Sequence, residues 1–119
     1  MKKTLIIGAS TNPERYAFIA ANRLVNHGHP IEMLGLKEGI VAGQAIHTDR
    51  PTFSDIDTVT LYIGPRHQPE WYEYITKLMP KRVIFNPGTE NSEFEQLLTK
   101  NGITPIEACT LVLLSIGAY

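Results

Sequence analysis

The chain has 119 residues, 43% of them apolar and 19% charged, with 11 Lys and Arg against 12 Asp and Glu. That length suits one domain spanning residues 1–119, with a core large enough to stand without disulfides, and its single Cys can form none within the chain. A net charge of −1 excludes a globally basic grip on nucleic acid, and no apolar run reaches the about 20 residues of a membrane span or the roughly 7–15 of a secretory signal.

Residues 4–7 (Thr-Leu-Ile-Ile) form a β-type run ended by Gly8, and its lack of polar alternation predicts a strand covered on both faces. Asn12-Pro13 reads as a helix start, with Phe18, Ala21, Leu24 and Val25 at helical spacing and Gly28 as the stop. Residues 31–36 give a second strand. Residues 39–51 are loop-like, with at most a very short strand near Ala45-Ile46. Residues 58–63 are rich in β-branched side chains and halted by Gly64-Pro65, and a helix opens near Gln68-Pro69. Residues 82–85 form the next strand, closed by Asn86-Pro87-Gly88. Asn91 or Ser92 caps a helix with Phe94, Leu97 and Leu98 inward, and residues 103–107 form a last strand, placed at an edge by Pro105. Residues 111–119 are almost wholly apolar and read as a helix. It packs on the domain's own sheet, or part of it forms the interface of a homodimer. The alternation predicts an α/β fold: a single Rossmann-like, doubly wound, mainly parallel sheet of five to six short strands with helices on both faces.

In such a sheet, ligands bind beyond the carboxyl ends of the strands. That rule selects residues 8–15, 35–37, 63–66 and 86–89. The first stretch joins a strand to a helix start, where free amides favour an anion. Ser10, Thr11 and Asn12 add donors, and Arg15 adds a planar cation. It matches no dinucleotide loop, P-loop or nucleophile elbow, because Ser10, Asn12 and Pro13 stand where those motifs need glycine and no Gly-Lys-Ser/Thr ending is present. At the end of the second strand, Lys37 suits a phosphorylated ribose, while Glu38 keeps an NAD site open.

Gly8-Ala9-Ser10, the following Asn12-Pro13-Glu14-Arg15-Tyr16, Asn26-His27-Gly28-His29, the run from Ile84 to Gly88 and Glu107-Ala108-Cys109 together resemble the CoA-binding domain family. Its members are small stand-alone proteins similar to the N-terminal domain of the succinyl-CoA synthetase α subunit. The resemblance implies a protein that binds a small-molecule nucleotide, coenzyme A or an acyl-CoA, and the lone thiol with no export signal fits a reducing cytoplasm. Gly8, Ala9, Ser10, Asn12 and Arg15 would lie at the diphosphate, and Gly35 and Lys37 at the adenosine phosphate. Ile63, Gly64 and Pro65 would lie against adenine, with Asn86, Pro87 and Gly88 along pantetheine. Two departures stand out: Leu34-Gly35-Leu36-Lys37 where many relatives have Val-Asn-Pro, and Asn86-Pro87-Gly88 where many carry a Gln between an aromatic and Gly. The ligase's phosphohistidine domain and nucleotide-grasp subunit have no counterpart in 119 residues.

No catalytic constellation or metal set stands out. His27 and His29 bracket a helix end and read as facing water. His47 lies in a loop, His67 follows the strand end at the ligand edge, and Asp55/Asp57 and Glu93/Glu95 do not pair on a helix face. Cys109 reads as an inert thiol or as a partner for a mixed disulfide with CoA. Two other readings stay open: an NADP- or NAD-dependent oxidoreductase or a fragment of one, and an interaction module with a vestigial cleft.

Overall fold

The computed structural model describes residues 1–119. It contains strands β1 (Thr4–Ala9), β2 (Ile31–Gly35), β3 (Gly39–Val41), β4 (Gln44–His47), β5 (Thr58–Leu61), β6 (Arg82–Phe85) and β7 (Thr104–Glu107). Its helices are α1 (Tyr16–Asn26), α2 (Tyr72–Leu78), α3 (Ser92–Lys100) and α4 (Thr110–Ser115). The strands form one sheet in the order β3-β4-β2-β1-β5-β6-β7, parallel throughout except where β3 and β4 pair as a hairpin.

The strand count is seven rather than five to six. The short strand expected near Ala45-Ile46 is β4, and the added strand is β3, residues 39–41, read from the sequence as loop. Ala42 and Gly43 both hold positive φ, 53° and 78°, which is the backbone a two-residue hairpin turn needs. Ala42 has a Cβ and signals no such turn, so the hairpin is not visible in the sequence.

Period-two alternation sends Leu5, Ile7, Leu34, Val59, Leu61, Val83 and Phe85 to one face of the sheet, where they meet Ile75 of α2 and Phe94 and Leu98 of α3. Phe94 is stacked by Tyr72 at 4.4 Å and meets Phe85 edge-on at 5.7 Å between ring centroids. Ile6, Met33 and Ile84 face the other way, against Ala17, Ala21 and Leu24 of α1 and Leu114 of α4. Both faces are therefore covered, and β7 is an edge strand, as Pro105 predicts.

Two helix starts differ from expectation. Asn12 forms a turn instead of a cap: its Oδ1 accepts the Glu14 amide at 3.0 Å, its carbonyl oxygen accepts the Arg15 amide at 3.0 Å, and α1 begins only at Tyr16. The helix near Gln68-Pro69 opens as short 3-10 turns and becomes α-helical at Tyr72. The apolar tail is helical only to Ser115. Gly117, with φ of +71°, turns the chain so that Tyr119 is buried against the sheet beside Thr4. No helix is long and apolar enough to cross a membrane.

Candidate functional site

The chain leaves β1 through α1 to one side of the sheet and later returns to the other side through β5, so the winding reverses between β1 and β5. Their carboxyl ends bound the crevice where a doubly wound sheet takes its ligand. Gly8 sits at this reversal with φ of +93°, in a register irregularity of β1. A Cβ there would stand 2.9 Å from the Tyr62 carbonyl oxygen and 3.0 Å from Ile63 Cγ2, so only glycine lets the two strand ends approach. Gly35 acts the same way on the other flank, where a Cβ would meet the Ala9 carbonyl oxygen at 2.5 Å. Gly39 faces the loop, and a Cβ there would meet Thr11 Cγ2 at 2.4 Å. Gly8 and Gly35 thus let backbone segments of the crevice approach, while Gly39, which the sequence alone did not single out, leaves room for the Thr11 methyl.

The loop above Gly8 is ordered by its own side chains. Ser10 Oγ accepts the Asn12 amide at 3.0 Å, and Asn12 fixes Glu14 and Arg15 as described. Arg15 stands in extended conformation directly before α1, with no side-chain cap on the helix. The amides of Ser10, Thr11, Tyr16 and Ala17 donate to no protein acceptor. Arg15, Lys37 and Arg66 are exposed and enter no ion pair. The chain thus presents four unpaired N–H groups and a helix N-terminus on one loop, with three uncommitted cations on strand-end segments of the same edge.

The far wall is built by residues after β5 and β6. Ile63 is half-buried, and Gly64 and Gly88 have open space where a Cβ would project. Pro65, Pro87 and Gly88 are exposed. Asn86 is brought to the same edge, but its side chain is fully engaged within the protein. Nδ2 donates to Thr60 Oγ1 at 2.7 Å and to the Leu61 carbonyl oxygen at 2.8 Å, and Oδ1 accepts the Thr110 amide of α4 at 2.9 Å. Gln68, absent from the sequence-based site, is completely buried and joins the two loops. Nε2 donates to the carbonyl oxygens of Ile63 and Thr89 at 3.0 and 2.7 Å, and Oε1 accepts from Asn91, the cap of α3. Its signal is weak, because a Gln beside Pro69 reads as an ordinary helix start.

Tyr62 lies beneath this wall with its hydroxyl buried and without a hydrogen-bond partner. Burial pushes the phenol up to about 12, while the nearby Thr110 and Thr60 hydroxyls, already bonded to each other at 2.8 Å, pull the other way. Cys109 is half-buried directly before α4. His67 is exposed, and His29 is half-exposed with its Nδ1 accepting the Lys2 amide at 3.0 Å. One carboxylate pair escaped the spacing argument, because Glu95 of α3 meets Glu107 of β7. Burial, then a hydrogen bond and repulsion from Glu107, hold the Glu95 carboxyl above its ordinary range. That pair sits at the β7 end of the sheet, away from the β1–β5 crevice.

A hollow of about 470 Å³ opens against the β3–β4 hairpin, lined by Glu38 to Ile40 and Ala45 to Asp49. Its carboxylates, Glu38 and Asp49, disfavour phosphate there, so the loop above Gly8 remains the anion-receptive part of this edge.

No curated protein matches the chain. Among solved structures, the crystal structure of an uncharacterized protein is 55% identical, with a TM-score of 0.98, and the match covers 100% of this chain and 98% of the other. A hypothetical protein from Pyrococcus horikoshii OT3 is 28% identical with a TM-score of 0.84, covering 93% of this chain and 80% of that one. An oxidoreductase from Bacillus cereus shares the fold at 16% identity and a TM-score of 0.61, covering 89% of this chain but 34% of that one. The family model described as a CoA binding domain matches residues 2–115. With the glycine-bounded crevice and open amides in place at the sheet's switch point, that match over nearly the whole length identifies the chain as a member of the CoA binding domain family.

Proposed function

We propose that the protein binds coenzyme A or an acyl-CoA in the cytoplasm and has no ligase activity of its own. The observation that carries this reading is the loop after β1, where the amides of Ser10, Thr11, Tyr16 and Ala17 have no protein acceptor and Arg15 stands unpaired beside them. A diphosphate accepts from such amides and sits favourably at a helix N-terminus. In this reading Gly8 and Ala9 let the diphosphate approach the backbone, while Ser10 and Asn12 shape the loop around it. Lys37, past Gly35, meets the adenosine 3′-phosphate. Ile63, Gly64 and Pro65 flank adenine, and Pro87 and Gly88 border the pantetheine arm. Asn86 acts by holding that wall in place. Membership in the family supports CoA over other nucleotides. A second copy is the partner this reading expects, docked through Val112 of α4 and Ile116 just past its end, both exposed.

The test is a thermal-shift panel of CoA, dephospho-CoA, NAD and NADP. At a hundredfold excess over its dissociation constant, a ligand of the native state adds about 2.7 kcal/mol, roughly 10 °C in Tm for a chain of this size. CoA is expected to lead dephospho-CoA. Lys37→Ala should weaken CoA about tenfold and leave dephospho-CoA nearly unchanged. NADP or NAD ahead of CoA would overturn the reading, and so would the absence of a shift with any of the four.

A further inference from the structure

The opposite edge of the sheet, where β5 and β6 begin, carries a second concentration of charge. A hollow of about 370 Å³ there is lined by Lys2, Asp57, Lys81, Arg82, Thr104 and Ile106. Three of these side chains are cations and one is a carboxylate, in a protein whose net charge is −1. Asp57 is already engaged: its Oδ1 accepts from Thr58 Oγ1 at 2.7 Å, and its Oδ2 faces Lys81 Nζ at 3.8 Å. Lys2 donates to the main-chain oxygen of Tyr119.

Arg82 is the unbalanced member. Its Nε donates to Thr58 Oγ1 at 2.8 Å, and its guanidinium lies 4.4 Å from the centroid of the Tyr119 ring. No carboxylate pairs with it, and its Nη2 is buried without any acceptor. A half-buried cation without a counter-ion is costly, and its potential is weakly screened on the side away from water. The His29 imidazole is held below its usual range mainly by burial, then by the amino terminus, His27 and Lys2, with Arg82 contributing least. Thr104 adds a hydroxyl that bonds to nothing in the protein, and Ile106 adds an apolar floor.

We infer that this hollow is an oxyanion site. A phosphate or carboxylate group seats against Arg82, Lys81 swings over it from the rim, and Thr104 donates from the side. The site is separate from the crevice after β1, so it stands or falls independently of CoA binding.

The experiment is an NMR titration of the isotope-labelled full chain with inorganic phosphate and, in a second arm, with malonate, at ionic strength held constant by sodium chloride. The backbone amides of Lys81, Arg82, Thr104 and Ile106 are expected to shift and saturate, and the tighter of the two anions names the ligand class. Shifts at residues 10–17 report the other edge and are scored separately. Lys81 has an exposed side chain whose one ion pair is the 3.8 Å contact to Asp57, so Lys81→Gln should fold normally and weaken binding about threefold to tenfold. Lys100→Gln, on α3, should change nothing. Shifts that never saturate, that spread equally over Lys77 and Lys100, or that survive Lys81→Gln unchanged would overturn the inference.

Discussion

Ala42 holds a left-handed backbone, φ +53°, at the tip of the β3–β4 hairpin, and its Cβ makes that conformation costly. Glycine pays no such steric penalty, and Asn tolerates the region through local hydrogen bonding. Replacing Ala42 by Gly or Asn should therefore stabilise the protein by about 0.5–1 kcal/mol, read as a higher urea midpoint at unchanged slope. The same residue shows where sequence-based reasoning stops. Gly8 and Gly35 stand out because a glycine after a strand signals a close approach, and the structure gives each a backbone neighbour that forbids a side chain. An alanine in a turn carries no such signal, so β3 stays hidden in the sequence. The sequence leaves Gln68 unmarked and marks Asn86 for a different role, because what both do depends on partners from segments distant in the chain.

Among the elements, α4 depends on a residue outside it. Asn86 takes up the Thr110 amide, one of the donors a helix start cannot satisfy internally, and ties it to Thr60 and Leu61 of β5. Asn86→Ala leaves that buried N–H unpaired and should cost about 2–3 kcal/mol in chemical denaturation. A drop below about 0.5 kcal/mol would mean that the network carries no weight. The junction of α3 and β7 makes a prediction in pH. The Glu95 carboxyl is held above its ordinary range, so the native state binds protons more tightly than the unfolded chain. Its contribution is present at low pH and is lost as pH rises through the carboxylate range. Glu95→Gln should therefore raise Tm by roughly 1–3 °C at neutral pH, and the two proteins should converge at about pH 3.5. The start of α1 shows a different limit. Asn12-Pro13 suits both a helix cap and a turn, and the structure uses it as a turn onto Glu14, with α1 starting at Tyr16.

For the molecule as a whole, periodicity gives the architecture readily. Strands buried on both faces, helices between them and right-handed crossovers leave few other arrangements, and the radius of gyration, 12.9 Å, is that of a compact chain of this length. The four strand-end segments that sequence assigned to a ligand do share one edge of the sheet. What periodicity cannot supply is the division of labour among them, between residues that fix the backbone and residues left open. The exposed Val112 and Ile116 test the proposed pairing of two copies at this scale. On that proposal the wild type sediments as a dimer and the variant with Val112→Glu and Ile116→Glu as a monomer, with Tm lowered by no more than a few degrees because neither side chain is buried within the chain, and a monomeric wild type overturns the pairing.

The bonds of Gln68 to Ile63 and Thr89, extended through Asn91 to Tyr72, make the segments after β5 and β6 a single mechanical unit. Anything wedged beside them meets a surface already frozen in place, so little ordering entropy is lost on docking. The exposed run from Thr11 to Tyr16 is held instead by bonds within its own loop and by the close approach of Thr11 to Gly39.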